Sequence, residues 1–270
     1  MDSIQQFKEE TKKRIIEQGK NPELKKATDI FLLESIKSGY SYNYTWMGRP
    51  IIQYPQDIVA MQEIVWNVKP DLIIECGIAH GGSLILSASL LAMLDYVEAV
   101  ETSTTLDPTK VKRRVLGIDI DIRSHNKAAI ESHPMANRID MIQGSSIAPE
   151  IIKQVHDYAM SYKNILICLD SNHTHDHVLA ELEAYAPLTS KSSYCIVFDT
   201  VVEDLDDELV VDRSWGKGNN PKTAVWKYLA DLAHTPQKAV DGDSLIFEID
   251  EVIENKILLS VAPDGYLKRV

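Results

Sequence analysis

Cysteine is scarce in this 270-residue chain: Cys76, Cys168 and Cys195 are an odd set of three, each inside an apolar run. That excludes a disulfide-stapled scaffold and fits buried, reduced thiols in a cytoplasmic protein. Positive charge is also in deficit, with 28 Lys and Arg against 40 Asp and Glu and a net charge of −12. Such a surface repels phosphate backbones and disfavours anionic membranes, so nucleic acid is not an expected partner. No uninterrupted apolar run reaches the ~18 residues that a membrane span needs, so no transmembrane segment is expected. The start, Met1-Asp2-Ser3-Ile4-Gln5, lacks the apolar stretch of a signal peptide. Internal repeats and low-complexity tracts are missing as well. What remains is an ordinary globular composition, 44% apolar and 25% charged, in a chain long enough for one large core.

Residues 1–20 and 22–37 carry helical spacing. The aromatic and polar stretch Tyr40–Pro50 is punctuated by Gly48 and Pro50 and reads as a loop. Pro55-Gln56-Asp57 opens a further helix through Val65. Strands and helices then alternate. Asp71–Cys76, Val115–Asp119, Arg138–Ile142, Asn164–Asp170 and Tyr194–Asp199 are predicted strands, with an apolar helix near Ser83–Leu94. Glu98–Lys112 reads as a polar surface excursion. Ile257–Val261 and Tyr266–Val270 are predicted as two more strands, joined in antiparallel fashion by the Pro263-Asp264-Gly265 turn. Continuous apolar strands alternating with helices define an α/β, Rossmann-like parallel sheet covered on both faces. The predicted division is an N-terminal helical extension with a loop over residues 1–66, then the sheet domain over 67–270.

The first of these five strands runs into Glu75-Cys76-Gly77-Ile78-Ala79-His80-Gly81-Gly82-Ser83, and the second ends in Asp119. In open parallel sheets ligands bind beyond the carboxyl ends of the strands, where strand order reverses. A glycine-rich turn there admits a ligand close to the backbone, and a carboxylate at the end of the next strand can accept from both ribose hydroxyls. A dinucleotide calls for Gly-x-Gly-x-x-Gly, yet the third position here is Ala79 and the glycines fall at 77, 81 and 82. Glu75, inside the strand, suits a cationic cofactor better than a pyrophosphate. Both points favour S-adenosyl-L-methionine, cationic at sulfur and amine, over a nicotinamide cofactor. In the plainer alternative the glycines form only a tight turn and Asp119 caps a helix. Ser145, in Gln143-Gly144-Ser145-Ser146 after the third strand, is placed to line the adenine.

Asp170 ends the fourth strand and Asp199 the fifth. Neighbouring strands would bring both carboxylates to one sheet edge, and with a hydroxyl or water they suit an oxygen-ligated ion such as Mg2+. Such an ion would orient an acceptor hydroxyl and lower its pKa. Strand-end capping is the alternative role for both. His173 lies three residues past Asp170, and an imidazole there suits a general base. His173, His175 and His177 also admit a second reading, a two-histidine, one-carboxylate iron site. A third is a solvated loop whose histidines cap a helix.

Glu75–Ser83, Asp170–His173, Phe198-Asp199-Thr200, Trp215–Trp226 and Val261–Arg269 together resemble the cephalosporin hydroxylase family, which includes rhamnosyl O-methyltransferases. The likeness runs from about Asp29 to the C-terminus; Trp215–Trp226 and Ala262–Arg269 are its most specific parts. More distantly, the strand-end layout is similar to catechol-type O-methyltransferases. The resemblance implies a seven-stranded methyltransferase fold, S-adenosylmethionine, Mg2+ and a homo-oligomer. Matched position by position, it implies donor contacts at Glu75, Gly77, Ser83 and Asp119, to which the glycine turn adds Gly81. It implies metal ligands at Asp170 and Asp199, and it puts His173 where catechol-type enzymes keep a lysine. Some members carry Glu-Asp where this chain has Phe198-Asp199, so Thr200 is taken as the third ligand.

The Trp215–Asn220 stretch reads as a hinged loop able to close over the donor, or as a rigid surface connection. Tyr40–Arg49 is read as an acceptor wall, with Arg49 facing an anionic group. The leading expectation is an Mg2+-assisted O-methyltransferase acting on a small-molecule or glycan hydroxyl. An iron hydroxylase and a non-catalytic donor-binding subunit are the alternatives.

Overall fold

The computed structural model describes residues 2–270. Two helices come first, α1 (Ser3–Gly19) and α2 (Pro22–Lys37). Asn21 starts the second: its side chain accepts from the N–H groups of Glu23 and Leu24, and Pro22 takes the first helical position. The Tyr40–Pro50 segment is not the plain loop expected. After a 3-10 turn it forms an antiparallel hairpin, β1 (Tyr44–Trp46) with β2 (Arg49–Ile51). Met47 and Gly48 both have positive φ, 45° and 86°, the backbone of a two-residue hairpin turn. Methionine gives no left-handed signal, which hid the hairpin.

The chain continues through α3 (Pro55–Val68), β3 (Leu72–Cys76), α4 (Gly82–Glu101), β4 (Arg114–Asp119), α5 (Ser124–Glu131), β5 (Ile139–Gln143) and α6 (Pro149–Ala159). It ends with β6 (Ile165–Leu169), α7 (His175–Tyr185), β7 (Tyr194–Val197), α8 (Pro221–His234), β8 (Phe247–Ile249), α9 (Glu251–Ile257) and β9 (Tyr266–Arg269). Seven strands form the main sheet in the order β5-β4-β3-β6-β7-β9-β8. The first five in that order are parallel; β9 runs antiparallel to both β7 and β8.

The antiparallel finish uses a different strand from the one expected. Ile257 ends α9 and Leu258–Val261 is irregular, while Phe247–Ile249 supplies the seventh strand. Asp250 accounts for this: its side chain accepts from the N–H groups of Val252 and Ile253 and starts a helix there. A short apolar run does not distinguish a helix end from a strand.

Burial alternates along β3. Ile73 joins the core under α4, whereas Leu72, Ile74 and Cys76 join the core on the opposite face. Glu75 therefore faces the α4 side. By length and composition α4 approaches a membrane span, although Asp95 and Glu98 interrupt its apolar run, so the expectation of no uninterrupted run of that length holds. Over half of its apolar window, 56%, is buried within the protein, as befits a core helix. From β3 the chain builds outward to β4 and β5 on one side, then crosses to β6 on the other. That reversal opens a crevice at the carboxyl ends of the strands.

Candidate active site

The crevice is a cleft of about 640 Å³, within the range of small-molecule sites. Gly77, Gly81, Ser83, Asp170, His173 and Asp199 all line it. Each arrives on a strand end, in the turn after it or, for Ser83, in the first turn of the following helix, because parallel strands deliver their carboxyl ends to one edge. Asp170 follows β6 and Asp199 lies just beyond β7; these strands are hydrogen-bonded neighbours, as expected.

Asp170, His173 and Asp199 each present a ligand atom within 4.8 Å of the others. His173 Nδ1 is 3.2 Å from Asp199 Oδ2, and Nε2 is 3.7 Å from Asp170 Oδ1. Burial pushes the Asp170 carboxyl up to about 6; the hydrogen bond from His173 opposes this and the Asp199 charge adds to it. Burial alone would lower His173, but the charges of Asp199 and Asp170 raise it to about 9. Two carboxylates that share one imidazolium form a site short of positive charge. This donor set fits a divalent ion such as Mg2+. Asp199 holds a left-handed backbone, φ 54° and ψ 23°, which an aspartate tolerates better than most residues. Such conformations concentrate at functional sites.

Thr200 is placed differently from its expected role as third ligand. It is fully buried, and its Oγ1 donates to the carbonyl of Pro263 at 2.6 Å. The group that completes the cluster is His173. The other two histidines lie apart from it. His175 Nδ1 is 2.8 Å from Thr223 Oγ1, and His177 Nε2 is 3.1 Å from Ser146 Oγ. The helix beginning at His175 separates them, so the two-histidine iron arrangement does not form.

On the donor side, Glu75 is 3% exposed and accepts from the Ser83 hydroxyl. Burial pushes its carboxyl up to about 8; the Ser83 hydrogen bond opposes this and the Asp170 charge adds to it. Asp119 is already engaged: Oδ2 accepts from the N–H of Ile78 at 2.8 Å and of Ala79 at 3.3 Å, and Oδ1 from that of Asp121 at 3.0 Å. It braces the turn that carries Gly77 and Gly81. Ala79 takes a left-handed φ of 45° there, so the turn shape survives without the glycine of a dinucleotide motif. Neither Asp119 nor Ser145 is among the residues that line the cleft. Ser145 sits at the turn before α6, its carbonyl accepting from the N–H of Ala148 at 2.9 Å. Arg49 does not face an anion site; its guanidinium donates to the carbonyl of His80 and to Asn126 Oδ1.

Several lining residues carried no signal in the sequence. Gln53 and Tyr54, after β2, form one wall, and Leu205, Leu209 and Val210 another. They belong to irregular segments without motif, and only packing brings them to the cleft. Trp215 packs on His173 with ring centroids 4.9 Å apart, and Arg213 lies over the Trp215 ring at 5.3 Å. The loop behind Trp215 is pinned: Glu203 accepts from the Gly218 N–H at 2.7 Å, and Asn220 caps α8 with a reciprocal bond through Thr223. Trp226 Nε1 donates to Asp264 Oδ2 at 2.9 Å, so the two most distinctive sequence runs touch.

The strand order, the crevice and the two aspartates at the ends of adjacent strands define a Rossmann-like methyltransferase domain with a carboxylate–histidine cluster in its cleft. The profile of the Rhamnosyl O-methyltransferase/CmcI family matches residues 38–270, and the chain belongs to that family. A rhamnosyl O-methyltransferase of Mycobacterium leprae is 28% identical over 226 residues, covering 83% of this chain and 82% of the relative. The Mycobacterium tuberculosis H37Rv protein of the same name is 27% identical over 229 residues, covering 83% and 78%. A CmcI structure with Mg and SAM shares the fold, with a TM-score of 0.52 at 16% identity over 85% of this chain and 77% of that one.

Proposed function

We propose that this protein transfers the methyl group of S-adenosylmethionine to a hydroxyl of a sugar-bearing or natural-product acceptor, with a divalent cation such as Mg2+. The observation that carries this reading is the convergence of the Asp170–His173–Asp199 cluster with the Glu75–Ser83 turn in one cleft. Membership of a family named for rhamnosyl O-methyl transfer supports the sugar-like acceptor. Asp170 and Asp199 would hold the ion, with His173 beside them. When bound, it supplies a Lewis-acid charge that lowers the pKa of the acceptor hydroxyl. His173 receives the hydroxyl proton. For that its ring must be neutral, whereas the two carboxylates hold it protonated when no other cation is beside them. Gly77, Gly81 and Ser83 admit the donor along the turn, with Glu75 beneath. Trp215 shields the reacting end from water.

Residues 1–66 supply part of the acceptor wall, through Ile36, Ser41 and Gln53, and residues 67–270 supply donor and metal sites. Exposed Ile4, Phe7, Ile30 and Phe31 on α1 and α2 fit a homo-oligomer, and the three buried, unpaired cysteines fit a cytoplasmic location.

Calorimetry with S-adenosylmethionine and S-adenosylhomocysteine tests the donor; failure of both to bind would sink the reading. Asp170→Ala with Asp199→Ala abolishes metal-dependent turnover, and survival of that turnover removes the metal assignment. Mass spectrometry of cell-envelope glycans with and without the gene identifies the acceptor.

A further inference from the structure

Every other arginine of the chain engages its guanidinium in a hydrogen bond or an ion pair; among the described residues, Arg213 alone has neither. Asp206, Asp207, Glu208 and Asp212 lie in the same segment, yet none of them pairs with it. The carboxylates of the cleft, Asp170 and Asp199, face His173 instead. Arg123, the other arginine of the cleft, already has Asp121 at 3.9 Å. What holds Arg213 is an aromatic ring. Its guanidinium lies over Trp215 at 5.3 Å, Trp215 packs on His173 with centroids 4.9 Å apart, and all three residues line the cleft. A guanidinium resting on a ring keeps its planar edge of N–H groups available, and that edge fits the two oxygens of a carboxylate or a phosphate. The backbone N–H of Arg213 donates to the Val210 carbonyl at 3.0 Å, which seats it against the apolar wall of Leu205, Leu209 and Val210. Beside apolar surface an ionic hydrogen bond is weakened less than it is in open water.

We propose that Arg213 is a specificity residue: it receives an oxyanion of the acceptor, a carboxylate or a phosphate, so that this cleft selects an acidic acceptor over a neutral one. The inference rests on the methyl-transfer reading and names a property of its acceptor. Two ring contacts separate Arg213 from His173, so the anion and the reacting hydroxyl lie on the same sugar unit or on adjacent ones. The net charge of −12 by itself repels such an acceptor, and Arg213 supplies the local attraction.

The test labels the acceptor with the protein itself. The full chain, Mg2+ and S-adenosylmethionine tritiated on its methyl group are incubated with an extract of cells lacking the gene, and the labelled product is passed over an anion exchanger. Retention of the label is expected; a neutral labelled product overturns the inference. Tandem mass spectrometry of the retained product separates the two sources, phosphate by a metaphosphate fragment and carboxylate by loss of CO2. The same acceptor, purified unmethylated, then serves for kinetics. Arg213→Gln is expected to raise its KM by about tenfold, the loss expected for a charge-assisted hydrogen bond, with kcat changed only a few-fold. Added salt should raise KM for the parent and leave that of the variant nearly flat. Arg213→Lys should restore part of the affinity, since it keeps the charge and loses only the planar fork. An unchanged KM for Arg213→Gln overturns the inference. So does a loss that Arg213→Lys repeats in full with no salt dependence, which would be lost packing on Trp215. A parent that does not bind S-adenosylhomocysteine, or binds it and labels nothing, is a different result: it removes the methyl-transfer reading itself, and this inference with it.

Discussion

A Cβ atom on Gly77 would lie 2.0 Å from the carbonyl oxygen of Asp170. The turn after β3 thus touches the end of β6 backbone to backbone, and Gly77 holds φ at +100° while its N–H donates to the Ile118 carbonyl at 2.8 Å. Only glycine meets both demands. Gly77→Ala is expected to destabilise the fold by about 2–4 kcal/mol and to displace Asp170, weakening metal binding. Urea denaturation and Mn2+ titration measure the two effects; a variant that matches the parent in both refutes this contact.

His173 stands between Asp170 and Asp199, and its two possible tasks separate experimentally. As the base it is needed for proton removal, so His173→Ala should lower kcat by about 10²- to 10⁴-fold. The affinity for Mn2+ should then change only a few-fold. A large loss of metal affinity with a proportional loss of activity would make His173 a ligand instead.

Asp95 and Arg138 form a buried ion pair at 2.5 Å, with Asp95 8% and Arg138 5% exposed. Arg113 donates to the other Asp95 oxygen. Asp95→Ala leaves two guanidinium groups without their shared carboxylate and should cost about 3–5 kcal/mol. The pair joins α4 to the residue before β5, so the loss should appear as a lower urea midpoint. An unchanged midpoint would mean that water replaces the carboxylate.

Burial pushes the Glu254 carboxyl up to about 7, against a backbone hydrogen bond from Asp264 that opposes the shift. The folded state therefore holds this proton more tightly than the unfolded chain does. Its contribution to stability is complete below the ordinary glutamate range and is lost as pH rises from about 4.5 to about 7. Glu254→Gln keeps the acceptor for the Asp264 N–H and has no proton to lose. Thermal melts across that window should show a shallower decline for the variant than for the parent; parallel curves would contradict the assignment.

Much of the sheet was legible because its signals are local. The runs Asp71–Cys76, Val115–Asp119, Asn164–Asp170 and Tyr194–Asp199 are mostly apolar, as strands covered on both faces must be, and each contains a strand. The start of α8 is equally local: Asn220 accepts from the N–H groups of Lys222 and Thr223, and Pro221 takes the first helical position. Ile257–Val261 was misleading because the Asp250 cap upstream, rather than the apolar run itself, decided its conformation.

The sequence by itself put Asp170, His173 and Asp199 at or just past the carboxyl ends of parallel strands, which share one edge; the pairing of β6 with β7, which sets them side by side, was decided by the folded sheet. Tertiary structure decided where the remaining polar atoms point. It turned the Thr200 hydroxyl to Pro263, set Asp119 against the backbone of Ile78 and Ala79, and tied Arg49 to His80 and Asn126. It also brought Gln53 beside Glu75 across more than twenty residues of sequence. The reason is physical: strand formation depends on a residue's own neighbours, whereas the direction of a polar side chain is set by partners that arrive only when distant segments pack.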